Sequence, residues 1–129
     1  MMQWLVIAGG GALGAMARFG VVRLSAAMFG PGFPLGTLIV NVLGSLVAGV
    51  LYVRLVEAST GGADSMLRSL LVVGFLGAFT TFSAFSVDTL QLLEKTGAAA
   101  AGWNVLLNVV LCLAACAMGF WIGRQIFTA

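Results

Sequence analysis

Histidine is absent from this 129-residue chain, and only 8% of its residues are charged. The first absence removes the side chain most used as a metal ligand and a proton carrier. The second leaves too little charge to cover a water-soluble surface, where about 25% of residues are charged. Cysteine is nearly missing as well. Cys112 and Cys116 stand four apart in one apolar run, with no acid nearby to complete a tetrahedral metal site. They are expected to be small, buried, apolar-like thiols. No nucleophile–base pair, metal cluster or glycine-rich phosphate loop can be assembled, which argues against an enzyme.

What is present is hydrophobic sequence. Apolar residues make up 61% of the chain and the mean hydropathy is +1.14. Charge-free stretches run from Gln3 to Ala17, Leu24 to Val53, Ser69 to Val87 and Thr96 to Gly123. Three of them reach the roughly 18 to 20 residues that cross a hydrocarbon core as a helix. The first reaches that length when it carries Arg18 with it. The runs are continuous and rich in Gly, Ala and Leu, without the alternation of barrel strands. Met1-Met2-Gln3 lacks the positive start of a signal peptide and no polar domain follows, so the first run is read as a spanning helix. The expected fold is an all-α membrane protein, one domain of four transmembrane helices at about 4–22, 35–55, 66–93 and 103–122. Gly30-Pro31-Gly32-Phe33-Pro34 forms the first loop. Ser59 to Ser65, with Gly61-Gly62, forms the second, and Lys95 to Gly102 the third. Function must then lie within the membrane.

With four spans, Arg54, Arg68 and Arg124 share one side with Glu57 and Asp64. Arg18, Arg23 and Lys95 share the other with Asp88 and Glu94. A Lys/Arg imbalance normally sets orientation, and none exists here. A single orientation chosen by subtler features is one reading. Insertion both ways with antiparallel pairing is the other, and it is the one favoured here.

Polar groups inside a span are costly and need an explanation. Thr37, Asn41 and Ser45 repeat every four residues in the second helix, as do Asn104, Asn108, Cys112 and Cys116 in the fourth. Each set therefore shares a helix face. Interhelical hydrogen bonding explains Thr37 and Ser45 well. It explains less well three Asn side chains, each with two donors and an acceptor. In the third helix, Gly74-Phe75-Leu76-Gly77-Ala78-Phe79-Thr80-Thr81-Phe82-Ser83-Ala84-Phe85-Ser86 is poor helix-forming sequence near mid-span. A broken helix at that depth survives only inside protein or along a wet cavity. Gly74 and Gly77 could simply permit close packing, but two hydroxyls and two phenylalanines follow them. Ring edges carry a weak positive potential; beside Asn, Ser and Thr donors they could partly replace the water around a small anion. No Asp, Glu, His or Lys is expected at mid-membrane depth, so passive conduction is preferred to proton-driven transport.

These segments together resemble the CrcB/Fluc family of fluoride channels over nearly the whole chain. Gly10-Gly11-Ala12-Leu13-Gly14-Ala15-Met16-Ala17-Arg18 looks like the helix 1 signature. Gly36-Thr37-Leu38-Ile39-Val40-Asn41-Val42-Leu43-Gly44 looks like that of helix 2. Gly74-Phe75-Leu76-Gly77 with Thr80-Thr81-Phe82-Ser83-Ala84-Phe85 looks like the helix 3 break. The resemblance implies a dual-topology antiparallel homodimer with two fluoride pores and a structural sodium ion held by the main-chain carbonyls of Gly77 and Thr80. It implies that Asn41 faces the anion, that Phe82 and Phe85 are pore aromatics, that Ser83 adds a hydroxyl, and that Arg18 lies near a vestibule. Thr37, Asn104 and Asn108 complete the candidate pore residues. The family pattern usually has Thr where this chain has Ala84, and often Tyr and Ser where it has Asn104 and Asn108. An acidic residue follows the break in relatives, where Asp88 stands here.

A passive exit for fluoride is physically coherent. The ion holds its water tightly, so a selective path must replace that water with well-placed donors. A fixed cation near the midplane offsets the low dielectric. Two rivals stand beside this reading. A small multidrug-resistance transporter requires a membrane-embedded Glu in helix 1, and no acid lies there. A non-transporting membrane adaptor would use the polar stripes only to dock a partner. The expected location is the inner or plasma membrane, multi-pass. The expected partners are fluoride, a second copy of the chain and lipid, with no nucleic acid.

Overall fold

The computed structural model describes residues 1–57 and 63–128; most of the loop expected from Ser59 to Ser65 lies outside them. Helix α1, Met2–Phe29, continues past Val22 because Leu24 to Phe29 contains neither a charge nor a breaker. It stops at Gly30, whose φ of 81° lies where a Cβ would be strained. Arg23 is exposed there, its guanidinium 5.7 Å from the centre of the Phe19 ring. After Pro34, α2 runs over Leu35–Tyr52 and continues as a π-helical turn, Val53–Glu57. The third hydrophobic run is segmented. It consists of α3 (Ala63–Arg68), a π-helical stretch (Ser69–Leu76), the short α4 (Gly77–Phe79) and, after Thr80 and Thr81, α5 (Phe82–Lys95). The last helix, α6, spans Ala98–Phe127. It starts before Trp103 because Ala98 to Ala101 are strong helix formers, and Gly97, at φ 114°, supplies the turn. The third connection is thus tighter than Lys95 to Gly102.

The described residues contain four helices long and apolar enough to cross a membrane: Met2–Phe29, Leu35–Glu57, Ser65–Lys95 and Ala98–Phe127. All exceed the length a bilayer needs, so tilt or protruding ends are expected. Large apolar side chains cover the outside, including Leu13, Met16, Phe19, Leu106, Val110 and Trp121. Lipid gives no hydrophobic drive to pull such helices together, so close backbone packing must do it.

Glycine makes that packing possible at two seams. Where α2 crosses α6, a Cβ on Gly119 would strike the backbone oxygen of Leu46, and one on Gly49 that of Cys116. Where α1 lies on the π-helical stretch, a Cβ on Gly10 would strike Leu70 O, and one on Gly14 would strike Phe75 O. The i→i+5 winding of that stretch is a wider turn of the kind often found at functional positions. Between the seams sits a small core of Val40, Leu76 and Phe79, flanked by Ala17, Val21, Ala48, Leu51 and Phe75.

This arrangement makes α2 the central element, touching α1, α4, α5 and α6. The third run changes partners along its length. Its π-helical stretch and α4 pack on α1, whereas α5 packs on α6. The change falls at Thr80 and Thr81.

Candidate functional site

Thr80 adopts φ −80°, ψ 156° and Thr81 φ −153°, ψ 115°, both extended, between two helical segments. Their hydrogen bonds account for the geometry. The Thr80 hydroxyl folds back on the Leu76 carbonyl at 2.9 Å. In a continuous helix the Thr81 N–H would donate to the carbonyl of Gly77. Instead it donates to Asn41 Oδ1 at 2.8 Å. The Ala84 N–H would likewise reach the carbonyl of Thr80, but the Thr81 side chain takes it as an N-cap at 3.1 Å. The carbonyls of Gly77 and Thr80 therefore lose their helical donors. The first-turn amides of α5, on Phe82 and Ser83, have no intrahelical acceptor.

A directional chain of amides holds this point in place. Asn41 Nδ2 donates to the Thr81 carbonyl and to Asn108 Oδ1, both at 3.1 Å. Asn108 Nδ2 donates to the carbonyl of Asn104 at 3.0 Å and to its Oδ1 at 3.1 Å. Asn104 Nδ2 donates to Thr89 Oγ1 at 2.8 Å, and the Thr89 hydroxyl donates to the Phe85 carbonyl at 2.7 Å. Because the Thr81 N–H can only donate, it decides which way Asn41 points, and the order follows down the chain. Among the described residues no buried side-chain nitrogen or oxygen lacks a partner.

Beside this network lies a cavity of about 550 Å³, open to the outside of the chain. Asn41, Ser45, Asn108 and Cys112 line one wall, and Gly77, Thr80, Thr81, Phe82 and Phe85 the other. None of its lining residues is Asp, Glu, Lys or Arg. The rings of Phe82 and Phe85 meet at 5.2 Å between centroids, tilted by 52°. Phe85 is buried, whereas Phe82 is 79% exposed and projects from the chain's surface.

The candidate residues named from the sequence do not all gather here. Asn41, Asn108, Phe82, Phe85, Gly77 and Thr80 line the cavity. Ser83 is exposed at its edge, with its hydroxyl 3.2 Å from that of Thr81. Asn104 is completely buried and lines neither this cavity nor the next. Thr37 points elsewhere: it donates to Asp88 Oδ2 at 2.6 Å. Thr37 and Asp88 line a second cavity of about 240 Å³, with Val22, Pro34, Gln91 and Lys95, at the end formed by the first and third connections. Arg18 is partly buried, one turn before Val22 on the same face of α1, and lines neither cavity. At the opposite end Arg124 grips Glu57 through two hydrogen bonds of 3.1 and 2.9 Å.

Sequence reasoning passed over Thr81 as a cap and amide donor, and Thr89 altogether. The available signal for Thr89 was its place two helical turns after Thr81, on the face that also carries Phe85.

Residues 5–120 match the sequence profile of the family described as CrcB-like protein, Camphor Resistance (CrcB). A Coxiella burnetii protein named Fluoride-specific ion channel FluC is 47% identical over 125 residues, covering 97% of this chain and all of the relative. One of the same name from Shewanella amazonensis is 49% identical over 119 residues, 92% of this chain and 94% of the relative. Another from Hydrogenovibrio crunogenus is 41% identical over 128 residues, 99% of this chain and 96% of the relative. With a profile match and end-to-end identity at this level, the chain belongs to the CrcB family.

Proposed function

We propose that this multi-pass membrane protein is a passive fluoride-selective channel that works as an antiparallel, dual-topology homodimer. The names of its relatives supply the ion. The structural observation that carries the reading is the start of α5. There the first-turn amides of Phe82 and Ser83, which have no intrahelical acceptor, form the positive end of a helix dipole beside a cavity that Phe82 and Phe85 line and no ionised side chain does. Such a helix start favours an anion. Binding there must also be weak enough to release the ion. A neutral lining of amides, hydroxyls and ring edges meets that condition better than a lysine or arginine would.

The dimer is supported by what the single chain leaves open. The cavity has one side missing, and Phe82 stands on its rim with most of its surface uncovered. A second copy would close the wall and give the ring a packing partner. Equal numbers of Lys and Arg on the two sides support insertion in both orientations.

The sodium reading is supported by the donor set. Two neighbouring carbonyls freed of their helical donors, Gly77 and Thr80, provide the hard oxygen ligands that unwound membrane helices offer to sodium. Gly77 is exposed on the chain, so a symmetry-related pair could contribute from both copies. A bound cation would supply fixed positive charge near the path. The chain's own part is to hold the two carbonyls out of the helix ladder.

Asn41 acquires a different role from the one the resemblance implies. Its Nδ2 hydrogens are committed to Thr81 and Asn108. It acts by keeping the two extended residues in place, and the neighbouring backbone amides face the ion.

The test is efflux from proteoliposomes loaded with fluoride and read by a fluoride electrode, together with a C-terminal topology reporter in cells. Fluoride-selective efflux and reporters on both sides are expected. Absence of efflux would remove the channel, and a reporter on one side only would remove dual topology.

A further inference from the structure

The amide chain runs further from the cavity than any conducting role requires. Thr89 and Asn104 line neither cavity, and Asn104 has no exposed surface. Yet the two are joined at 2.8 Å, and the line from them to Thr81 is unbroken: Asn104 to Asn108, Asn108 to Asn41, Asn41 to the Thr81 N–H. Each link has one permitted direction. The Thr89 hydroxyl is spent on the Phe85 carbonyl, so its oxygen must accept from Asn104 Nδ2. That leaves Asn104 Oδ1 to accept from Asn108 and Asn108 Oδ1 to accept from Asn41. Asn41 Oδ1 is then left for the backbone amide of Thr81. Reversing any one amide would set two donors or two acceptors face to face.

We infer that Thr89 and Asn104 are positioning residues which, through Asn108 and Asn41, hold the Thr81 amide away from the Gly77 carbonyl and so tune the cation site. The inference rests on the sodium reading above. Two states compete for one donor. In one, Thr81 N–H is held by Asn41 and the Gly77 carbonyl is open; in the other, the helix closes and the carbonyl is filled. Cooperative polarisation strengthens a chain of hydrogen bonds in which every member is satisfied. Losing its far end therefore weakens its near end, on another helix. Thr89 lies on α5, Asn104 and Asn108 on α6 and Asn41 on α2, so the chain also ties together the three elements that meet beside the cavity.

The experiment measures the sodium midpoint, meaning the dissociation constant fitted to the rise of the melting temperature of the purified full-length protein with sodium concentration. Sodium chloride is exchanged against an organic-cation chloride at constant ionic strength. Binding to the folded state alone stabilises it by RT ln(1 + c/Kd), with c the sodium concentration, so the melting temperature climbs logarithmically once sodium exceeds Kd and the curve yields Kd. Thr89→Val keeps the shape of the side chain but removes the acceptor for Asn104. It is expected to raise the sodium midpoint by up to about fivefold, the change reached when the whole of one ordinary hydrogen bond favours the open state. Asn104→Leu is expected to do the same or more, and Thr89→Ser, which keeps the hydroxyl, to return the midpoint to the original value. A merely structural role would lower the melting temperature equally with and without sodium, and an unchanged midpoint in Thr89→Val would overturn the inference. If Asn104→Leu does not fold, the Thr89 pair decides alone. An original protein that shows no sodium-dependent shift would remove the cation site itself, and this inference with it. A normal shift there with unchanged variants overturns only the positioning role.

Discussion

Asn41→Leu separates the structural account of Asn41 from a purely ion-contacting one. Leucine is close in size, so the packing of α2 changes little, but three hydrogen bonds disappear: 3.1 Å to the Thr81 carbonyl, 3.1 Å to Asn108 Oδ1 and 2.8 Å from the Thr81 amide. Thr81 is 7% exposed and Asn108 5%, so water cannot easily replace them. The Thr81 N–H has a second choice, the Gly77 carbonyl, and taking it closes the helix. The Thr81 carbonyl keeps the first intrahelical donor of α5, whereas Asn108 Oδ1 has no replacement. A buried group left unpaired costs about 1–3 kcal/mol, whereas hydrogen bonds between membrane helices average about 0.6 kcal/mol with a maximum near 1.7. One orphaned acceptor on these scales places the loss between about 0.6 and 3 kcal/mol. The middle of that range is comparable to about a tenfold change in an equilibrium, which corresponds to 1.4 kcal/mol. The assay pairs fluoride-electrode efflux from proteoliposomes with denaturant unfolding of the same preparation. Efflux is expected to fall about tenfold as the unfolding midpoint drops. Asn41→Asp is the companion. It keeps an acceptor for the Thr81 amide but, when ionised, sets a charge against two acceptor oxygens. It would also repel an anion 4 Å away by about 4 kcal/mol at an effective dielectric of 20, so its flux is expected to be lower still. Asn41→Leu with unchanged efflux and an unchanged midpoint would refute the argument that Asn41 maintains the extended pair.

Phe82→Ile and Phe85→Ile each remove a ring while keeping apolar bulk; efflux is expected to fall about tenfold in both. Phe82→Ile should leave the folded chain untouched, because that ring is mostly uncovered. Normal efflux through both variants would mean the rings are ordinary packing. A Cβ at Gly77 would meet only Val72 O, at an ordinary 3.7 Å. Gly77→Ala is therefore expected to fold normally, and Gly77→Val, β-branched and less willing in a helix, to impair dimerisation and sodium response more than the fold; crosslinking and size exclusion read the difference, and an unaffected dimer in Gly77→Val counts against a shared ion there. Gly119→Val places a side chain against the Leu46 backbone oxygen, where no rotamer can relieve it. A loss of about 3 kcal/mol or more is expected from such overpacking, seen as little or no monodisperse protein, and a stable Gly119→Val would mean the α2–α6 seam is looser than described.

Span number and turn positions were legible in the sequence because each depends on local chemistry. Long charge-free runs cannot be anything but membrane helices or buried core, and Gly30 with the two prolines that follow it ends α1 whatever surrounds it. The ends of α1 and α6 were less legible, since no strong signal separates the end of a span from apolar helix that continues beyond it. Family membership was legible too, as the motifs around Arg18, Asn41 and Gly77–Phe85 lie in continuous stretches. Residue roles were not. Thr37 and Asn41 share a helical face, yet Thr37 reaches Asp88 on α5 while Asn41 reaches Thr81 and Asn108. Asn104 and Asn108 also share a face, yet only Asn108 lines the larger cavity.

The sequence by itself determined that four apolar helices form, where two of their connections turn, and that glycine rows and a hydroxyl-rich segment occupy the middle of the chain. Those outcomes follow from periodicity, hydropathy and backbone freedom, which act within a few residues. The tertiary structure alone decided which acceptor the Thr81 amide takes. Two oxygens compete for that amide, Gly77 O from its own helix and Asn41 Oδ1 from α2, and the second is available only because α2, α5 and α6 meet beside it. The same competition explains why Asn104, expected from the sequence as a pore residue, and Thr89, unremarkable there, join the site through hydrogen bonds alone. A hydrogen bond across forty residues is invisible to spacing, since its geometry depends on how the helices pack.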